Sequence, residues 1–115
     1  MNRSNISGSF VVGNTTTNPV QLNARNLSGI TITGSCITGT SMTFLVSTDG
    51  TNFYPLYSDS SAEISLTTGS FARSYNVNSL DFAPWGWVKA RLGNSASAVA
   101  QATYNQAVIF HTELW

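Results

Sequence analysis

Short runs in which apolar and polar residues alternate dominate the chain, and clusters of Gly, Asn, Ser and Pro separate them. Alternation with a period of two places every second side chain on one face of a strand, so each run predicts a half-buried β-strand. The clearest apolar sets are Val20, Leu22 and Ala24; Met42, Phe44 and Val46; Ala62, Ile64 and Leu66; Tyr75 and Val77; and Val88, Ala90 and Leu92. Gly and Thr are too frequent for a helical stripe.

The spacing of these runs predicts the fold class. About eight strands recur every 8–12 residues, which is typical of β-sandwiches and jelly rolls. The 115 residues suit one domain. We therefore predict an all-β chain: a polar N-terminal arm over residues 1–9, and a single antiparallel β-sandwich of the jelly-roll type over residues 10–115.

Turn residues and glycines make local predictions. Asp49-Gly50 lies between two apolar runs, and Gly50 supplies the positive φ of a tight hairpin. Gly29, Gly34 and Gly39 interrupt a Thr-rich strand region, which indicates bulges or a close approach of another backbone. We expect the segment around Leu80 and Phe82 to be a loop that buries both side chains.

Charge is scarce in this chain. Five basic and five acidic residues make up 9% of it and cancel, against about 25% in an average globular domain. A surface of hydroxyls and amides loses little hydration when it is covered, so this composition favours docking or assembly over catalysis. No run of Lys or Arg provides a nucleic-acid stripe, and no apolar run approaches the roughly 18 residues of a membrane span. We therefore expect neither a nucleic-acid nor a membrane partner.

Residues that carry catalytic or metal chemistry are few and scattered. Cys36 and His111 are the only residues of their types, which makes a zinc site implausible. The acidic residues are too dispersed to suggest a calcium loop or a glycosidase pair, and Asp49 is better explained as a turn residue. We expect no catalytic residue, no metal, no cofactor and no enzymatic activity.

One predicted strand carries the residues that we consider candidates for binding. Trp87, Lys89 and Arg91 share a face opposite the apolar side of the strand. Two explanations of this face are equally good. In the first, the aliphatic parts of the two basic side chains cover an exposed ring. In the second, the face is a docking surface, since Trp, Tyr and Arg dominate interface hot spots. The full candidate set for interface or ligand contact is Trp85, Trp87, Lys89, Arg91, Tyr54 and Trp115.

Two segments resemble a known family. Residues 46–56, with the sequence VSTDGTNFYPL, resemble the S-x-D-G-x-x-[FW]-x-x-L hairpin of discoidin-like and carbohydrate-binding jelly rolls. Residues 82–91, FAPWGWVKAR, resemble the later strand of such domains, with an aromatic residue, Val and a basic residue in order. The same pairing occurs in small proteins that bacteriophages encode among their structural genes.

This resemblance implies a bacteriophage virion protein that decorates or cements the capsid. Its partners would be the major capsid protein and copies of itself, as a trimer. It would be made in the cytoplasm of the bacterial host and lie on the outer capsid surface. A carbohydrate-binding module that stacks sugars on Trp85, Trp87 and a tyrosine is one alternative. A tail or baseplate component is another.

Overall fold

The computed structural model describes residues 2–58 and 61–114, and these residues form a sandwich of two antiparallel sheets. The strands are β1 (Asn2–Phe10), β2 (Val20–Gln21), β3 (Asn26–Ile32), β4 (Ser41–Ser47), β5 (Tyr54–Pro55), β6 (Ser65–Thr67), β7 (Arg73–Asn76), β8 (Trp87–Leu92) and β9 (Gln106–Leu114). One turn of 3-10 helix covers Ser79–Asp81. The all-β prediction is confirmed, with nine strands in the part of the chain described.

Early strands of the chain pair with late ones, so that the first strand pairs with the last and the second with the last but one. The four-stranded sheet has the order β1-β9-β3-β7, and the five-stranded sheet has the order β2-β8-β4-β5, with β6 also paired to β4. Thus β1 pairs with β9, β2 with β8, β3 with β7 and β4 with β6, all antiparallel. This arrangement of two antiparallel sheets confirms the predicted β-sandwich.

The core lies between the two sheets and follows the alternation in the sequence. Phe10 and Phe110 enter it from the four-stranded sheet, and Phe44 enters from the five-stranded one. Phe82 comes from the loop before β8, and its ring meets that of Phe44 edge to face with 5.2 Å between centroids. All four phenylalanines are fully buried. Aromatic side chains bury the most surface per residue, so these four dominate the apolar burial.

The hairpin between β4 and β5 forms as predicted. Leu45 lies opposite Pro55, and Gly50 has φ +77°. The Asp49 carboxylate accepts hydrogen bonds from the backbone N–H groups of Asn52 and Thr51 at 2.9 and 2.8 Å. These bonds, in that order of importance, hold the pKa of Asp49 far below its usual range. Asp49 therefore organises its own turn.

The predicted polar arm is the main difference between the sequence analysis and the structure. Residues 2–9 are not an arm but most of β1, which pairs with β9 over its whole length, whereas Met1 lies outside the described residues. Phe10 is buried, and Gly8 leaves room for the Phe110 ring, since a Cβ there would lie 2.8 Å from Cε1. Only Ile6 and Phe10 are apolar in this segment, so the pattern was too weak to predict a strand.

Two further expectations about burial differ from the structure. Leu80 is 77% exposed, because the 3-10 turn leaves it outside while Phe82 fills the core. The predicted second strand ends after Gln21, because Asn23 and Ala24 adopt positive φ values of 54° and 60°. Leu22 nevertheless stays fully buried.

The core assignment makes a stability prediction with a matched control. Phe44→Ala removes a fully buried ring and leaves a cavity, so it should lower the free energy of unfolding by about 3–5 kcal/mol. Leu80→Ala removes an exposed side chain and should cost less than about 0.5 kcal/mol. Urea titration of both variants checks the difference, and equal losses would contradict the burial of Phe44.

Candidate functional site

The outer face of the five-stranded sheet carries the residues predicted from the β8 pattern. Val88, Ala90 and Leu92 are buried in the core, so Trp87 and Lys89 lie on the opposite side of the strand, as expected. The structure brings this side of β8 next to the β4–β5 hairpin, because β4 pairs with both strands. The candidate residues nevertheless have very different surroundings.

Arg91 is buried and is not available to an outside partner. Its guanidinium Nη2 forms an ion pair with the Glu63 carboxylate, and its Nε donates to the Thr43 hydroxyl at 3.1 Å. The other Glu63 oxygen accepts from the backbone N–H and hydroxyl of Ser95 at 3.0 and 3.1 Å. Both charged side chains are about nine-tenths buried, with 9% and 11% exposure. This pair ties β8 to the segment before β6, which is a structural role.

Trp85 and Trp87, the two tryptophans of the candidate set that the structure describes, are partly used in packing. A Cβ placed at Gly50 would lie 2.7 Å from Cε2 of Trp87, so the hairpin turn rests directly on this indole. Trp85 packs against the edge of the core cluster, and its backbone N–H donates to the Phe82 carbonyl at 3.0 Å. Neither indole is an open platform.

Lys89 and Tyr54 remain as the accessible members of the candidate set. The Lys89 ammonium lies 4.4 Å from the centroid of the Phe53 ring, a cation–π contact on the outer face. Tyr54 is 67% exposed in the edge strand β5, where it lies opposite Val46 and therefore on the other side of the sheet from Lys89. Phe53 was absent from the predicted set, although its place in the hairpin motif was a usable signal. Trp115 lies outside the described residues.

The outer face of the four-stranded sheet carries a polar arrangement that the sequence analysis missed. One side chain from each strand joins a chain of hydrogen bonds, which we call the polar relay: Ser74 of β7, Thr31 of β3, His111 of β9 and Asn5 of β1. Successive atoms are 2.8 Å apart from Ser74 to Thr31, 2.7 Å from Thr31 to His111 Nε2, and 2.8 Å from His111 Nδ1 to Asn5 Oδ1.

The chemistry of these groups sets the direction of the bonds. The Asn5 Oδ1 atom is only an acceptor, so Nδ1 of His111 carries the proton and donates to it. In the neutral ring Nε2 is then an acceptor, which takes the Thr31 hydroxyl proton. Thr31 in turn accepts from Ser74. The relay therefore runs in one direction across the sheet and holds the imidazole in a defined tautomer and orientation.

A groove of about 360 Å³ is lined by three of the four relay residues, Ser74, Thr31 and His111. A bulge in β3 between Leu27 and Gly29 brings Gly29 opposite His111. A Cβ at Gly29 would lie 3.1 Å from the Tyr75 carbonyl oxygen and 3.6 Å from the imidazole Cδ2, so the missing side chain leaves space beside the ring. This confirms the close approach predicted at Gly29. Arg3 and Glu113 close one end as an ion pair at 3.8 Å.

Two other features are absent from the described residues, a metal-binding cluster and a membrane-spanning helix. No group of three or more His, Cys, Asp or Glu side chains in residues 2–58 and 61–114 is placed to hold a metal ion. The same part of the chain contains no helix of the length and apolarity needed to cross a membrane.

The close contact between Gly50 and Trp87 makes a prediction. Gly50→Ala should cost about 1–2 kcal/mol for its left-handed backbone, and about 1–3 kcal/mol more because its methyl group meets the indole. Gly13 also has positive φ, at 92°, but nothing lies within 4 Å of a Cβ there. Gly13→Ala should therefore show the backbone cost alone.

Urea unfolding of both alanine variants measures this difference. In a Trp87→Ala background the two glycine substitutions should become equally costly, because the collision partner is gone. Equal costs in the presence of Trp87 would contradict the contact.

The buried pair makes a second prediction. Arg91→Met leaves the Glu63 carboxylate buried without its partner and should cost about 3–5 kcal/mol. Arg3→Met at the exposed pair with Glu113 should cost less than about 1 kcal/mol, since Arg3 is 82% exposed. Adding Glu63→Leu to Arg91→Met should restore part of the lost stability. Chemical denaturation checks all three, and a further large loss in the double variant would contradict our assignment.

Comparisons with known proteins give one similar structure. No protein-family model matches the chain, and no curated protein matches it significantly. A solved structure described as the SPBc2 prophage-derived protein YomS is similar in fold, with a TM-score of 0.48 and 10% sequence identity. The similarity covers 97% of this chain and 95% of that one.

Proposed function

We propose that this chain is a structural protein of a bacteriophage particle that decorates the capsid as a trimer through protein–protein contacts. The observation that carries the proposal is that the few charged side chains mostly contact other groups of the same chain. Most of them have a partner within the chain itself, which is an opposite charge, a backbone N–H group or an aromatic ring. The buried Glu63–Arg91 pair takes two charges off the surface, so the surface left for a partner is less charged than the composition indicates.

Of the nine charged residues in the part of the chain that the structure describes, seven have such an internal contact. They are Arg3 with Glu113, Glu63 with Arg91, Asp49 in its turn, Lys89 on Phe53, and Arg73 on Phe71 at 4.0 Å. Removing water from an unpaired charge costs several kcal/mol, whereas hydroxyl and amide groups lose far less. A surface of this kind suits a permanent contact with another protein.

The docking surface that we propose is the β5 edge of the five-stranded sheet. Tyr54 lies opposite Val46 in this edge strand and is 67% exposed. The Lys89 ammonium and the Phe53 ring already hold each other at 4.4 Å on the outer face, so little of their side-chain entropy remains to be lost on docking. Tyrosine is enriched among residues that dominate binding energy. The resemblance of residues 46–56 and 82–91 to small phage structural proteins also supports this role.

Binding to phage heads tests the proposal directly. Purified chain added to heads that lack it should co-sediment with them, and cryo-electron microscopy should show it on the outer surface. Tyr54→Ala should weaken binding at least about tenfold, the effect of losing a hot-spot side chain. Leu80→Ala removes another exposed apolar side chain, 77% exposed and outside the proposed docking surface, and should leave binding unchanged.

Different results would contradict the two parts of the proposal, which are capsid decoration and the trimer. Absence of binding to heads, or labelling confined to tails, would rule out capsid decoration. Light scattering should give three times the 12.3 kDa mass of one chain, and a monomer at all concentrations would rule out the trimer.

A further inference from the structure

We propose that the groove along the polar relay binds a neutral carbohydrate. This goes beyond a structural role on the virion, and it concerns the other sheet of the sandwich from the one proposed to dock. The inference rests on how Asn5, His111, Thr31 and Ser74 are held, and on the groups that they leave free.

The relay leaves donors and acceptors in defined positions at both of its ends. Asn5 uses its Oδ1 atom on His111, which leaves its amide N–H₂ group to donate. Ser74 donates to Thr31, which leaves its oxygen lone pairs to accept. Of these two ends, Ser74 lines the groove and Asn5 does not. A sugar hydroxyl donates and accepts through the same oxygen, so in the groove it donates to Ser74 and accepts from the side-chain amide of Asn76.

The charge of the groove selects a neutral ligand. Arg3 and Glu113 are the charged side chains among its lining residues, and they pair with each other at 3.8 Å. When the His111 imidazole is in its neutral form, the lining carries no net charge. An anionic or cationic ligand gains no opposite charge here, whereas a polyol gains several hydrogen bonds without burying an ion.

The shape of the groove also fits a small ring. Its volume of about 360 Å³ lies near the lower end of the range for small-molecule sites. Gly29 leaves an opening directly beside the imidazole. Because the groove is open to solvent, we expect weak binding of a single sugar, with a Kd of about 1 mM.

The single histidine of the chain makes this groove directly observable. We would titrate ¹⁵N-labelled protein with the methyl glycosides of glucose, galactose, rhamnose and N-acetylglucosamine, and follow the imidazole resonances by NMR. At least one glycoside should shift the His111 signals in a saturable way. N-acetylneuraminic acid, which is an anionic sugar, should not.

Two variants separate binding in this groove from binding elsewhere. The double variant Thr31→Val and Ser74→Ala removes both relay hydroxyls with little change of shape and should weaken binding at least about tenfold. Tyr104→Ala changes an exposed ring, 65% exposed, beside the loop groove around Cys36, and it should bind as the unaltered chain does. The dispersion of the amide spectrum shows that each variant is folded.

Three results would overturn the inference. They are no saturable shift with any neutral glycoside, loss of binding in Tyr104→Ala but not in the relay variant, and binding of the anionic sugar alone. None of these bears on attachment to phage heads, which is measured with different variants on the other sheet.

Discussion

Strand β9 lies between β1 and β3, and its register with both is the constraint on which the molecule depends. Along β9, Phe110 points into the core and the next residue, His111, points out of the sheet. The pairing of β9 with β1 places Gly8 against the Phe110 ring and Asn5 beside the imidazole. A shift of one residue would exchange the two faces, exposing the phenylalanine and burying the histidine. Core packing and the polar relay therefore follow from one alignment.

The scarcity of charge has a different meaning once the contacts are known. The composition shows only that charged residues are few in the whole chain. The structure shows that most of these few residues have a specific partner within the chain. Glu63 and Arg91 remove two opposite charges from the surface and join β8 to a distant loop. The Asp49 carboxylate accepts hydrogen bonds from the backbone of its own turn. A surface composed mainly of hydroxyls and amides remains, which lies against protein or sugar at little cost in hydration.

The two outer faces of the sandwich differ in chemistry because they are built differently. The five-stranded sheet presents a short hairpin whose Phe53 ring meets Lys89, so that face offers apolar contact with one cation. The four-stranded sheet presents hydroxyl, imidazole and amide groups bonded side by side across four strands. One face suits a protein and the other suits a polyol. Our two proposals assign the two sheets to separate partners, so both can be occupied at once.

The sequence by itself determined the fold class, the inward faces of β4 and β8, and the Asp49-Gly50 hairpin. These are local properties: alternation shows which side of a strand is apolar, and a positive φ requires glycine within a few residues. Only the tertiary structure decided that residues 2–9 join a sheet, that Arg91 is buried, and that four polar residues form a relay. Each of these depends on a partner far along the chain, at a separation of 28 residues for Arg91 and Glu63 and 106 for Asn5 and His111. Alternation predicts which way a side chain faces, but the pairing of strands decides what it meets there.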